Sequence, residues 1–241
     1  IIGFISGFVG EEIKRLVEIE NIKTEFIKLK GENSRINIKI LEENNETAIN
    51  CKGPYIENEY IEKLYQKLDY LKDDDILVIS GSVPKGINEE IYEKICERIK
   101  SKNIKIVVDS TKDLLLNTLK YKPFLIKPNH HELGEIFDTK IKTKAQALEY
   151  AQKLQQKGAQ NVLVSMGSDG SVLLDENRNA HKYDAIKNKN IVNTVGAGDS
   201  MVAGFIAGYL KYKNYEKALK LGIASASATA NSVYLGMKDK I

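Results

Sequence analysis

Asp199 follows Gly196, Ala197 and Gly198 and precedes an apolar stretch of helical character, residues 200–210. Two glycines at such a junction let backbone N–H groups of a helix N-terminus converge on an anion. A carboxylate beside an anion site makes chemical sense if the anion is a phosphoryl group in transfer. Asp199 would then take the proton of the attacking hydroxyl while the amides hold the developing charge. The tetrad alone fits a helix cap equally well, because Asp is favoured there. Three other segments also follow apolar runs: residues 80–86 (SGSVPKG), 127–132 (KPNHHE) and 165–170 (SMGSDG). Loops at the carboxyl ends of parallel strands are where α/β sheets bind ligands, so the convergence of four such segments carries more weight than any one of them.

Rival nucleotide fingerprints fail on inspection. Gly81 and Gly86 have the glycine spacing of a P-loop, but Ile87 and Asn88 stand where Lys and Ser or Thr must reach phosphate and metal. A dinucleotide motif beginning at Gly196 and Gly198 meets Met201 where its third glycine belongs. His130 and His131 are adjacent, their side chains are expected to diverge, and Cys51 and Cys96 supply no cluster, so a zinc site is not expected. The two histidines read as surface or turn residues.

The elements that must position these segments are α/β from residue 75 onward. Residues 75–80, 105–109, 124–127 and 161–165 read as buried strands, separated by helical segments. Residues 88–100 read as a helix with Glu89 and Glu90 in its first turn and Ile91, Ile95 and Ile99 on one face. Thr143 with Gln146 makes a capping box, and Gly158 is the expected C-terminal stop of the helix they open. Residues 24–51 differ: TEFIKL, SRINIKI and ETAINC are three short alternating strands, separated near residues 31–33 and 42–45. They suggest an antiparallel meander that would lie as a lid over a sheet edge. A helix over 57–71, with Ile61, Leu64, Leu68 and Leu71 at helical spacing, follows them.

Composition sets the class. With 241 residues, 42% hydrophobic and 29% charged, the chain is expected to be one globular domain. A formal net charge of +3, spread along the chain, gives no basic face for nucleic acid. Two cysteines without metal spacing fit a reducing, cytoplasmic location. No apolar run reaches the roughly 18 residues of a membrane span, and the first ten residues lack the basic start of a signal peptide.

The segment NTVGAGDSMVAGF, residues 193–205, resembles the C-terminal signature of the ribokinase-like, or PfkB-type, carbohydrate kinases. IIGFISGFVG (1–10), SRINIKI (34–40), ETAIN and the following GP (46–50, 53–54), ISGSVPKGI (79–87) and KPNHHEL (127–133) support it in register and in order. The resemblance implies a three-layer α/β sandwich with a mostly parallel central sheet and a small antiparallel β lid. It implies ATP-dependent phosphorylation of a sugar phosphate, with fructose 1-phosphate as the expected acceptor and tagatose 6-phosphate as the alternative. From a different class, the alternative is a truncated, catalytically silent nucleotide-binding module.

Carried onto this sequence, Asp199 matches the family's catalytic base, also a substrate contact, and Gly196, Ala197 and Gly198 match its anion hole. Lys127 and Asn129 match contacts to nucleotide phosphates, and Glu132 matches the acid that organises Mg²⁺ through water. Ser165, Met166, Gly167, Ser168, Asp169 and Gly170 match the loop lining the ATP site, while Ile223 and Ser227 match the helix beside adenine. Arg35 and Ser82 match contacts to the phosphorylated sugar. A planar, permanently charged guanidinium suits a phosphate. ATP and Mg²⁺ are the implied cofactors, a monovalent-cation requirement is left open, and so is a homodimer through the lid strands.

By residue type alone, Asn129 and Glu132 equally suit a turn and a first-turn acid, Arg35 an exposed edge charge, and Tyr60 and Tyr65 packing. The family's opening strand, with an Asp that binds sugar hydroxyls, and its glycine-rich segment do not occur here. The chain therefore reads as a single kinase domain over 1–241 lacking its N-terminal strand and part of the lid, with the lid at 24–52.

Overall fold

A computed structural model describes residues 1–41, 46–186 and 191–237. The chain divides into two compact units, Ile1–Asp75 with Ser82–Ile104, and Ile76–Gly81 with Lys105–Ile241.

In the first unit, β1 (Ile2–Ile5) leads into α1 (Gly7–Ile19) and pairs in parallel with β2 (Glu25–Lys28). The antiparallel pair β3 (Asn37–Leu41) and β4 (Glu46–Asn50) forms a separate two-stranded sheet, with Ile38 opposite Ile49. The expected three-stranded meander is thus corrected: its first segment belongs beside β1, and the antiparallel sheet has two strands. Alternation marks a strand but says nothing about its partner's direction. The 13-residue helix α1 between β1 and β2 is what permits a parallel return. The connection expected over residues 42–45 lies outside the described residues.

Two helices follow, α2 (Asn58–Asp69) and α3 (Ile91–Ile99). The latter starts three residues later than its sequence suggests, because the Asn88 side chain accepts the Glu90 N–H at 2.8 Å and holds residues 88–90 as a turn. Ile91, Ile95 and Ile99 are buried together, as their spacing requires. Ile27, Leu29, Ile56 and Tyr60 form this unit's core cluster.

The second unit is built on a six-stranded sheet in the order β10-β9-β8-β7-β6-β5. β5 (Ile76–Ser80), β6 (Lys105–Asp109), β7 (Leu125–Ile126) and β8 (Asn161–Ser165) are parallel neighbours. β9 (Ser171–Leu174) and β10 (Ala180–Tyr183) continue the sheet antiparallel. The four parallel strands match the sequence reading. The last two were not anticipated, because two strands of four residues each are too short to set a period.

Helices α4 (Lys112–Leu116), α5 (His130–Ile136), α6 (Lys144–Gln156), α7 (Ala197–Tyr212) and α8 (Tyr215–Ala230) complete the unit. The Thr143–Gln146 capping box opens α6 as expected, and Gly158 follows its C-cap with φ of +130°. Val107, Leu125, Leu163 and Leu173 of the sheet pack with Phe205 of α7 and with Leu219 and Ile223 of α8. The expected α/β class, with a mostly parallel sheet and a small antiparallel one, is what the chain adopts. Among the described residues, no helix is long and apolar enough to cross a membrane.

Candidate active site

The residues around Asp199 are fixed by how α7 starts. Gly196 is its N-cap, with φ of +78°, a left-handed conformation that costs other L-residues about 1–2 kcal/mol. A Cβ there would also stand 2.7 Å from Leu235 Cδ2. The Ala197 N–H donates to Thr194 O and the Ser200 N–H to Gly196 O, which leaves the amides of Gly198 and Asp199 as donors at the helix mouth. Ser200 Oγ lies 2.7 Å from Thr229 Oγ1 and ties this start to α8. The two helices approach closely: a Cβ on Gly222 would meet Met201 O at 2.9 Å.

Beside this mouth stands Lys127, just past β7. Its side chain is only 7% exposed, and its Nζ pairs with Asp109 Oδ1 at 3.1 Å. A Cβ on Gly198 would lie 3.3 Å from that ammonium, which therefore stands close against the first turn of α7. Lys127 is therefore a paired, buried cation at the helix N-terminus, not a side chain reaching into solvent. Burial pushes the Asp109 carboxyl above its usual range. Lys127 opposes that rise, and the charges of Asp199 and Glu132 add to it. Asp199 and Glu132 thus act through their charge on Asp109, which is paired with the ammonium. Asp109 was missed by sequence reasoning, although a signal was present: it is the one acid ending a strand that is otherwise apolar after its first lysine (KIVVD), at the ligand-binding edge of a parallel sheet.

Asn129 and Glu132 form the capping box of α5. Asn129 Oδ1 accepts the His131 and Glu132 N–H groups at 2.9 Å each, and Glu132 Oε2 accepts the Asn129 N–H at 2.8 Å. The box takes the Asn129 carbonyl oxygen and leaves its –NH₂ as the donor a phosphate would need. Asp199 differs from its neighbours: it is exposed, and among the described residues no hydrogen bond holds its carboxylate, so it does not serve as a cap.

The 165–170 loop closes against the same edge. Ser165 bridges to Asn129, and its N–H donates to Pro128 O. Gly167, Ser168 and Asp169 form a short 3-10 turn and are exposed, whereas Gly170 is buried, its N–H donating to Gly167 O and its carbonyl accepting from Met166. Met166 is 3% exposed and serves the core, so any ligand contact there is through its backbone. Ile223 is likewise buried in the core cluster, and its side chain is not offered to a base; Ser227 stands partly exposed. Contrary to expectation, the His130 and His131 rings do not diverge, with centroids 3.9 Å apart.

In the first unit, the structure brings together the two residues expected to grip the sugar phosphate. Arg35 Nη1 donates to Ser82 Oγ at 3.2 Å, and Arg35 is exposed. Its segment is held by Ser34, whose N–H donates to Ser6 O and whose Oγ accepts the Ser6 N–H, both at 2.9 Å.

Among the described residues, no three His, Cys, Asp or Glu side chains converge as a complete metal cage. Glu132 nonetheless supplies hard carboxylate oxygens. A small divalent cation takes one or two of these and completes its shell with phosphate and water. The residues fit a metal that arrives with a nucleotide.

A model of the pfkB family of carbohydrate kinases matches residues 1–238. The chain is 43% identical over 238 residues to 1-phosphofructokinase of Bacillus subtilis (strain 168), covering 99% of this chain and 77% of that protein. It is 36% identical over 222 residues to tagatose-6-phosphate kinase of Staphylococcus epidermidis (strain ATCC 35984), covering 90% of this chain and 71% of that one. The crystal structure of a mutant form of phosphofructokinase-2 from Escherichia coli superposes with a TM-score of 0.90 at 26% identity, over 99% of this chain and 78% of that one.

Proposed function

We propose that this chain, which belongs to the pfkB family of carbohydrate kinases, transfers the γ-phosphoryl group of ATP to the free primary hydroxyl of fructose 1-phosphate, giving fructose 1,6-bisphosphate. The observation that carries the reading is a carboxylate unpaired among the described residues, Asp199, in the first turn of a 16-residue helix whose mouth also holds a buried ammonium. The choice of acceptor rests on the similarity to 1-phosphofructokinase.

Asp199 accepts the proton of the attacking hydroxyl as its oxygen bonds to γ-phosphorus and the bond to the ADP oxygen breaks. The amides of Gly198 and Asp199 and the N-terminus of α7 face the equatorial oxygens, with Lys127 adding positive charge. Mg²⁺ bound with ATP would supply further charge neutralisation, with Glu132 placed to hold one of its waters. The Asn129 amide and the exposed backbone of Gly167, Ser168 and Asp169 donate to nucleotide phosphates, and Ser227 borders the base. Arg35 and Ser82, already hydrogen-bonded to each other, form the contact for the phosphate that the sugar carries on entry. The exposed Ile38, Ile40 and Ile49 of the lid hairpin support a homodimer formed through that hairpin.

A coupled assay of ADP release tests the reading with fructose 1-phosphate and tagatose 6-phosphate side by side. The expected result is a higher kcat/KM for fructose 1-phosphate. Preference for tagatose 6-phosphate would reassign the acceptor within the family, and ATP binding without turnover of either sugar would make the chain a silent nucleotide-binding module.

A further inference from the structure

Asp109, Glu132 and Asp199, carboxylates that act on one another through their charge, are not equivalent. Asp109 holds the ammonium at 3.1 Å, with side chains 16% and 7% exposed. Glu132 is engaged by the Asn129 N–H. Asp199 alone is left exposed. Yet the Lys127 ammonium lies against Gly198, the residue immediately before Asp199. A buried ammonium requires a counter-ion, and without Asp109 it would turn to the next carboxylate within reach. A base tied to an ammonium is a weak base, because the opposite charge favours its ionised form.

We propose that Asp109 is a positioning residue: it engages Lys127 and thereby keeps Asp199 unpaired for the substrate hydroxyl. The inference rests on the role of Asp199 as base given under the proposed function. The dependence is mutual, since Lys127 in turn opposes the effect of burial and of Glu132 and Asp199 on the Asp109 carboxyl. The four groups act as one charge arrangement in which a single carboxylate is withheld from pairing.

The test compares Asp109→Asn and Asp109→Glu with wild type, by kinetics, thermal melting and a crystal structure of Asp109→Asn. In Asp109→Asn, kcat is expected to fall by about tenfold or more while KM for ATP moves less than about threefold, the pattern of a group acting on the chemical step. Asp109→Glu retains the charge and should recover kcat. The crystal structure is expected to place Lys127 Nζ within about 4 Å of the Asp199 carboxylate, the reach of an ion pair. A folded Asp109→Asn with unchanged kcat, or an Asp109→Asn crystal with Lys127 still away from Asp199, would overturn the proposal. If wild type phosphorylates no sugar phosphate, the proposed function falls, and the crystal still decides whether Asp109 keeps Lys127 from Asp199.

Discussion

At the scale of single residues, the decisive contrast is between acids of similar chemistry in different company. Asp109 is largely buried and paired, Glu132 is bound into a cap, and Asp199 is exposed with no hydrogen bond among the described residues. Asp199→Asn is nearly isosteric and removes no stabilising contact, so the variant should fold and bind ATP normally. Its kcat should fall at least about 10²-fold, the low end for a general base, in steady-state assays with ATP binding followed by calorimetry. Near-normal kcat would make Asp199 a bystander. Arg35 supplies the second residue-level test. Removing a charge-assisted hydrogen bond to phosphate costs about 1.5–3 kcal/mol, so Arg35→Ala should raise KM for the phosphorylated sugar roughly ten- to a hundredfold. KM for ATP should barely change; an equal rise in both would mean that Arg35 serves the structure of its own segment, beginning with its bond to Ser82.

At the scale of elements, two helices begin with the same device but for different ends. Thr143 and Gln146 cap α6, and Asn129 and Glu132 cap α5. Both boxes satisfy N–H groups that a helix start leaves unpaired. The α5 box also sits beside the 165–170 loop and within the electrostatic reach of Asp109. Thr143→Ala should therefore cost about 1 kcal/mol in denaturant melts and leave the kinetics unchanged. Asn129→Ala should cost a similar amount and, in addition, raise KM for ATP severalfold. If the two variants differed only in stability, Asn129 would be a cap and nothing more. The comparison works because the cap occupies the Asn129 carbonyl oxygen and spares its amide nitrogen.

At the scale of the whole molecule, the two units are unequally built. In the second, Val107, Val108, Val162, Leu163, Val164, Val172 and Leu173 are all 0% exposed, so the middle of the six-stranded sheet is sealed by side chains. In the first, Ile27, Leu29, Ile56 and Tyr60 form a buried cluster, whereas the hairpin β3–β4 leaves Ile38, Ile40 and Ile49 at 44–48% exposure. Local opening follows buried contacts, so amide hydrogen exchange should be slowest in β6, β8 and β9 and fast in β3 and β4. Exchange of the isolated protein followed by mass spectrometry checks this. Protection of β3–β4 equal to that of β8 in a dimeric sample, lost on dilution to monomer, would show that a second copy covers the hairpin. Equal protection in a monomer would contradict the inference from burial.

The sequence by itself determined what depends on neighbours along the chain. Four parallel strands, the α6 capping box, the stop at Gly158 and the glycine junction before α7 were all readable, because periodicity, caps and left-handed turns are set within a few residues. The family signature extended this to roles, and Arg35 and Ser82, 47 residues apart, do meet. Only the tertiary structure decided which partners those elements chose. It placed the 24–29 segment parallel to β1 and out of the lid, added β9 and β10 to the sheet, and spent Ile223 and Met166 on the core. It also separated three similar acids into one paired with an ammonium, one capping a helix and one exposed with no hydrogen bond among the described residues. Pairing and burial are long-range, fixed by groups that distant parts of the chain deliver to the same place, and no local pattern records which carboxylate a buried lysine will find first.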